Sequence, residues 1–466
     1  MSSRPATVGQ LRESGWESVP VKEELRRNTA ARLAAGRPLL DGVFGYEDTV
    51  LPQLQNALLA GHDLIFLGER GQAKTRIIRS LPSLLDELVP VVAGSEVNDN
   101  PYHPISRLAR DLIAEKGDEA PIEWIGRDQR FGEKLATPDT SVADLIGEVD
   151  PIRVAEGRYL SDELTLHYGL VPRSNRGIFA INELPDLAER IQVSLLNVLE
   201  ERDVQVRGYK IRLPLDIVLV ASANPEDYTN RGRIITPLKD RFGAQIRTHY
   251  PLDLATELDV VAQEAVPLAV PGLRVQVPAF MSEVVGTLTQ LARSSPHVDQ
   301  RSGVSVRLTI ANHETLVANA ARRSLRLGEK DVVPRVSDLA ALASSTAGKV
   351  EIEALEEGRE AQVIDRLVSS AVLTVFKQHC SVGRLADVVL GFDEGTVVHA
   401  GEDLDSAAYA DLLAAVPALR GPAMELAGSE TPAAVASATE FLLEGLHLSK
   451  RLNKERIAGR SAYRGR

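Results

Sequence analysis

Hydrophobic positions along the chain follow two different periods. From about residue 41 to 250, short apolar runs alternate with stretches in which apolar residues recur every three or four positions, the pattern of parallel strands covered by helices. The runs Asp63–Leu67, Val89–Ala93, Gly177–Ile181, Asp216–Ser222 and Ala244–His249 predict a five-stranded parallel sheet between helices, an α/β core. Residues 1–40 read as a helical N-terminal extension. Past Pro251 the period is almost wholly helical: Leu254–Ala265, Pro278–Ala292, Leu308–Arg326 and Val336–Ala347 predict a helical lid over 251–349. Residues 350–466 predict an extra C-terminal helical domain. It opens on a long helix over Glu351–Gln378, in which Ile364, Leu367, Val368, Ala371, Val372 and Val375 share one face. The basic stretch Lys450–Arg466 reads as a solvated tail.

Two elaborations interrupt the core over 41–250. Between the second and third predicted strands lies a long stretch, about 95–176, carrying Pro101, Pro104, Pro121, Pro138 and Pro151; insertions of that length in a compact fold tend to be functional or disordered. Around Arg207-Gly208, the alternation in Val204–Leu213 predicts a β-hairpin.

Composition narrows the function classes. A length of 466 residues predicts two to four domains. A formal charge of −12 argues against nucleic-acid binding, which needs a surplus of Lys and Arg. Cys380 is the single cysteine, so neither an intrachain disulfide nor a cysteine-based zinc site can form; the adjacent His379 reads as packing. No apolar run approaches the ~18 residues that span a bilayer, and Met1–Pro20 lacks the layout of a signal peptide. A cytoplasmic protein without a membrane partner is expected.

The candidate chemistry sits at strand ends. After the first strand, Gly68-Glu69-Arg70-Gly71-Gln72-Ala73-Lys74-Thr75 forms a Gly-punctuated turn closing on Lys-Thr. In such a phosphate-binding loop backbone N–H groups wrap the phosphates of a nucleoside triphosphate, the lysine reaches the terminal ones, and the threonine hydroxyl touches Mg²⁺. Ala73 stands where glycine is usual, at a position where helical angles acceptable to alanine are expected. About 110 residues on, Gly177–Leu187 is a buried strand delivering Asn182 and Glu183 at its end. Glu183 stands where a catalytic base polarises the attacking water. Asn182 occupies the metal side, where aspartate is usual, and brings no charge; Asp186 is a candidate compensator. Next, Ile217–Pro225 ends in Asn224, placed to hold the water or contact the terminal phosphate. Arg241, in Pro237–Gly243, is placed to reach the γ-phosphate of a neighbouring subunit. That arrangement requires a ring, and Arg173 and Arg176 are further candidates to act across its interface.

These segments, in this order, resemble an AAA+ ATPase of the magnesium-chelatase I-subunit and MoxR group, over roughly residues 40–345. Phe44-Gly45-Tyr46-Glu47 is similar to the segment that group places near adenine, and Gly68–Thr75 to its P-loop. Asp144–Asp150, Glu156-Gly157 and Gly169–Gly177 resemble the chelatase pattern, which places a helix-2 insert at about 141–176. Val204–Leu213 would be the hairpin before sensor 1, Asn224-Pro225-Glu226 sensor 1, Asp240–Gly243 the arginine-finger segment, and Arg307 the sensor-2 arginine. The resemblance implies ATP and Mg²⁺ as cofactors, a homo-oligomeric ring, a hexamer, and a partner carrying a von Willebrand A-like domain. Asn182 departs from the usual aspartate, so weaker Mg²⁺ binding or slower hydrolysis is expected. Any integrin-like metal-binding module is expected on another polypeptide.

Two other readings compete with an ATP-driven motor that remodels a partner. Asn182–Leu187 and Leu195–Asp203 also resemble activators of the alternative sigma factor, though the chain has no Gly-Ala-Phe-Thr-Gly-Ala loop and no helix-turn-helix was recognised. A nucleotide-binding scaffold with weak turnover is the other, through Asn182.

Overall fold

Strands buried on both faces need apolar residues at every position, and the centre of this protein is built that way. The computed structural model describes residues 4–149, 165–201, 203–205, 212–224, 233–299, 303–351, 359–392, 395–457 and 460–466. They belong to two units, Met1–His249 and Tyr250–Arg466. In the first, helices α1 (Val8–Glu13), α2 (Val21–Ala34) and α3 (Val50–Ala60) precede strand β1 (Leu64–Leu67), which turns into helix α4 (Lys74–Ser80). Strand β2 (Leu88–Val92), helix α5 (Arg107–Lys116) and strands β3 (Ile122–Gly126), β4 (Phe131–Leu135), β5 (Gly147–Val149) and β6 (Leu166–Tyr168) follow. Then come β7 (Gly177–Asn182), α6 (Glu189–Glu201), β8 (Asp203–Gln205), β9 (Arg212–Pro214), β10 (Ile217–Ala223), α7 (Thr236–Arg241) and β11 (Ala244–Arg247).

The central sheet is parallel and five-stranded, in the order β11-β1-β10-β7-β4. All residues of β7 and β10 are buried. Alternate positions serve opposite faces: Leu64, Phe66, Ile178, Ala180, Val218 and Val220 share a core with α2, α3 and α4, whereas Ile65, Phe179, Ile181, Leu219 and Ala221 share one with Ile191, Leu195 and Val198 of α6. This is the P-loop AAA+ core expected from the sequence.

One strand of that core is not where the apolar runs put it. Val89–Ala93 is outside the central sheet: β2 pairs antiparallel with β3. The fifth strand is β4, Phe131-Gly-Glu-Lys-Leu135, which has no apolar run and is only half-buried over its first four residues. A sheet edge has a neighbour on one side, so half-buried polar residues are tolerated there. In the insert, β5 pairs antiparallel with β6, and β8 with β9 forms the base of the expected hairpin. Asp150, Glu156, Gly157, the hairpin tip 206–211, Pro225 and Glu226 lie outside the described residues.

Helix α2 is tied to this core by charge. Arg130 donates through both terminal nitrogens to Glu24, at 2.8 and 2.6 Å, and through Nε to the Arg176 carbonyl at 2.7 Å. Both partners are buried, with side chains 1% and 4% exposed. Asp216 accepts from the Val21 N–H at 2.9 Å, capping the helix from a distance.

The second unit holds helices α8 (Leu254–Glu264), α9 (Ala279–Ser294), α10 (Val306–Leu327) and α11 (Arg359–His379), strand β12 (Val397–Ala400), helix α12 (Pro432–Leu448) and strands β13 (Asn453–Ile457) and β14 (Arg460–Arg464). One core runs through it from Phe280 to Tyr463, with Leu367, Ala371, Val372 and Val375 of α11 inside. The basic end of the chain is therefore not a solvated tail. β14 pairs with both β12 and β13, and Ala462 and Tyr463 are buried. No described helix is long and apolar enough to cross a membrane.

Candidate functional site

The register of the parallel strands brings three loops to one place. Phe66 lies opposite Ser222, Ile181 opposite Ala221, and the Gly68 N–H donates to the Ala223 carbonyl at 3.2 Å. The ends of β1, β7 and β10 thus carry Gly68–Thr75, Asn182-Glu183 and Asn224 side by side.

Lys74 is the first residue of α4 and is buried, 7% exposed. Its ammonium donates to the carbonyls of Gly68 and Glu69 and to Asn224 Oδ1, the last at 2.7 Å. Neutral oxygens hold a buried cation less strongly than phosphate oxygens do, because charge-assisted bonds are about twice as strong. The same Asn224 donates through Nδ2 to Glu183 Oε2 at 2.5 Å. One amide therefore spans the phosphate-side cation and the proposed base.

The loop is shaped around a missing side chain. A Cβ on Gly68 would lie 2.0 Å from Thr248 Oγ1 and 2.3 Å from Gln72 Oε1. Those two atoms form a clamp, Thr248 donating to Gln72 Oε1 at 2.8 Å and the Glu69 N–H donating to the same oxygen at 3.0 Å. Tyr46 braces the loop from behind: its hydroxyl lies 2.8 Å from the Gln72 carbonyl and 2.7 Å from that of His249. Burial pushes the Tyr46 phenol well above its ordinary range, so it remains a donor. Ala73 corrects an expectation. Its φ of 53° and ψ of 14° are left-handed, not helical, so the residue sits in a conformation that favours glycine.

Glu183 is also left-handed, with φ 56° and ψ 47°. Backbone strain of this kind persists where surrounding structure over-determines a residue, and it clusters at functional sites. Here the Glu183 N–H points at Ser222 Oγ, 3.4 Å away. On the metal side, Asn182 Oδ1 accepts from Ser222 Oγ at 3.2 Å and Asn182 Nδ2 donates to Glu133 Oε1 at 2.5 Å. The carboxylate bonded to Asn182 therefore comes from β4. The sequence conceals Glu133, because three consecutive non-apolar residues between Phe131 and Leu135 give β4 no strand signal.

The donor set fits a nucleotide with Mg²⁺. Thr75, Asn182, Glu183 and Glu133 offer hydroxyl, amide and carboxylate oxygens, the ligands this hard cation takes. Among the described residues no group of three or more His, Cys, Asp or Glu forms a metal cage.

The arginines divide. Arg241 ends α7 and is exposed. Arg307 is exposed on the first turn of α10, in the second unit. Arg173 is exposed, but Arg176 is not available to a neighbouring subunit. It is buried, donates to the Pro90 carbonyl at 2.6 Å and lies over the Trp16 ring. Burial, reinforced by nearby Arg130, pulls its guanidinium down to about 10.

Comparison with known proteins agrees with the fold. The family described as the sigma-54 interaction domain matches residues 156–241, under a fifth of the chain. The magnesium-chelatase subunit ChlI of Nostoc sp. strain PCC 7120 is 29% identical over 248 residues, 51% of this chain and 62% of that protein. The magnesium-chelatase 38 kDa subunit of Cereibacter sphaeroides is 30% identical over 215 residues, 44% and 55% of the two chains. This chain thus spans less than two thirds of the length of either relative. Among solved structures, a complex of the magnesium-chelatase subunits BchI and BchD is similar at 22% identity, covering 69% of this chain and 97% of that one. Its TM-score of 0.36 is too low to bear on function.

Proposed function

We propose that this chain, a P-loop AAA+ protein related to the magnesium-chelatase I subunits, is an ATP hydrolase that works as a ring of its own copies, a hexamer, to remodel a partner protein in the cytoplasm. The observation that carries the reading is the convergence of Lys74, Asn224 and Glu183 at the ends of three adjacent strands.

Bound ATP supplies the phosphoryl group, and Mg²⁺ neutralises charge on its oxygens. The backbone N–H groups of Arg70–Thr75 wrap the phosphates, while those of Gly68 and Glu69 hold the loop in shape. Lys74 exchanges carbonyl partners for phosphate oxygens and gains by the charge-assisted bonds it forms. Thr75 and Asn182 would hold a bound Mg²⁺. Glu183 takes a proton from the attacking water, and Asn224 aims its carboxylate. Arg241 of one subunit steadies the charge that develops on the γ-phosphate of its neighbour, and Arg307 is the proposed sensor-2 arginine. A von Willebrand A-domain protein is the proposed partner. Magnesium chelation is the special case suggested by the relatives' names.

The test measures phosphate release with ATP and Mg²⁺, then captures partners with the Glu183→Gln variant loaded with ATP. Turnover that vanishes in Lys74→Ala supports the reading, and protein that neither binds nor cleaves ATP overturns it. Recovery of a sigma factor in place of a von Willebrand A-domain protein would favour the transcriptional reading.

A further inference from the structure

Asn182 leaves the metal side of the site without the aspartate that AAA+ chains usually carry there, yet the structure holds a carboxylate against it. β4 lies beside β7 with Glu133 opposite Ala180 and Leu135 opposite Asn182. Glu133 and Asn182 therefore share a sheet face, the one covered by α4. The Glu133 side chain extends along that face until Oε1 accepts from Asn182 Nδ2 at 2.5 Å, while Oε2 accepts from Arg79 Nε at 2.8 Å. Arg79 is one helical turn past Thr75, so the carboxylate lies on the Thr75 side of α4.

We infer that Glu133 supplies, from the neighbouring strand, the negative charge that attracts the metal side of a bound Mg-nucleotide, with Asn182 relaying it. The inference rests on the nucleotide reading above and deepens it. Its logic is a matched exchange. With an amide at 182, a carboxylate from β4 finds a donor. An aspartate at 182 would instead put a second carboxylate where the 2.5 Å bond now lies, trading an attraction for a repulsion. The Arg79 pair does not cancel the charge: Arg79 is 64% exposed, and exposed pairs are weak and screened.

The test is calorimetric and needs no turnover. ADP is titrated into the full chain in millimolar Mg²⁺ and again in EDTA, for wild type, Glu133→Gln, Arg79→Ala, Asn182→Asp and the double variant Glu133→Gln/Asn182→Asp. Glu133→Gln is expected to lose roughly tenfold of the affinity that Mg²⁺ adds, with EDTA binding unchanged. Arg79→Ala keeps the Mg²⁺ gain, Asn182→Asp does not exceed wild type, and the double variant recovers most of what Glu133→Gln lost. A full Mg²⁺ gain in Glu133→Gln overturns the inference. So does an equal loss in Arg79→Ala, which would make Glu133 an anchor for α4. Wild-type protein that binds no ADP in either buffer overturns the nucleotide reading itself.

Discussion

Asn224 Nδ2 donates to Glu183 Oε2 at 2.5 Å, and Lys74 donates to Oδ1 of the same amide. Binding and chemistry are therefore linked through one side chain but remain separable. Lys74→Ala should weaken ATP binding by roughly a hundredfold or more, since hydrogen bonds from a charged group contribute about 1.5–3 kcal/mol each. Glu183→Gln should lower turnover by about 10²–10⁴ with ATP affinity kept. Calorimetry and phosphate release measured in parallel check the split, and loss of binding in Glu183→Gln would contradict it.

Arg241 at the end of α7 is expected to serve a neighbour's site. Arg241→Ala should lose about 10³ in turnover and keep nucleotide binding. Mixing it with Lys74→Ala should restore part of the activity, because an intact Lys74 from one subunit then meets an intact Arg241 from the other. Two inactive proteins that stay inactive when mixed would exclude a shared site.

Ala73 adopts a φ of 53°, which costs an L-residue about 1 kcal/mol. Ala73→Gly should relieve that strain, and urea unfolding should place the first unit about 1 kcal/mol more stable, less the entropy glycine adds to the unfolded chain. A clear destabilisation would mean that the methyl group has packing value the backbone angle does not reveal.

His313 in α10 is partly shielded from solvent, and its Nδ1 is buried with no hydrogen-bond partner among the described residues. Burial, partly offset by Glu314, pulls its pKa below 6.5. The folded state therefore resists a proton that the unfolded chain accepts. The stability this group contributes is complete above 6.5 and drains away as pH falls towards the lower folded value. Denaturation midpoints of wild type and His313→Gln, compared between pH 7.5 and 5.5, should converge in slope only if His313 is not the cause.

What could be read from the residues was the buried centre. β7 and β10 are apolar at nearly every position because helices cover both faces, and that leaves a plain trace in the sequence. The residues that end those strands, Asn182, Glu183 and Asn224, were found by position. Glu133 was hidden because its strand is an edge whose half-buried residues need no apolar run, and its partner lies 49 positions away. The sign of φ at Ala73 escaped for a different reason: loop closure sets it, and alanine advertises a helix. β14 escaped because its buried residues, Ala462 and Tyr463, are adjacent and face opposite sides between two arginines, which leaves no alternating pattern.

The Glu24–Arg130 pair decides how this molecule can be dissected. An α/β core excised to begin at residue 41 would keep a guanidinium in its interior after discarding the carboxylate that answers it, and would leave Asp216 without the amide it now receives. Uncompensated interior charge of this kind is worth about 3–5 kcal/mol against folding. A fragment intended for expression must therefore start before Val21; the first helices are a keystone of the α/β core.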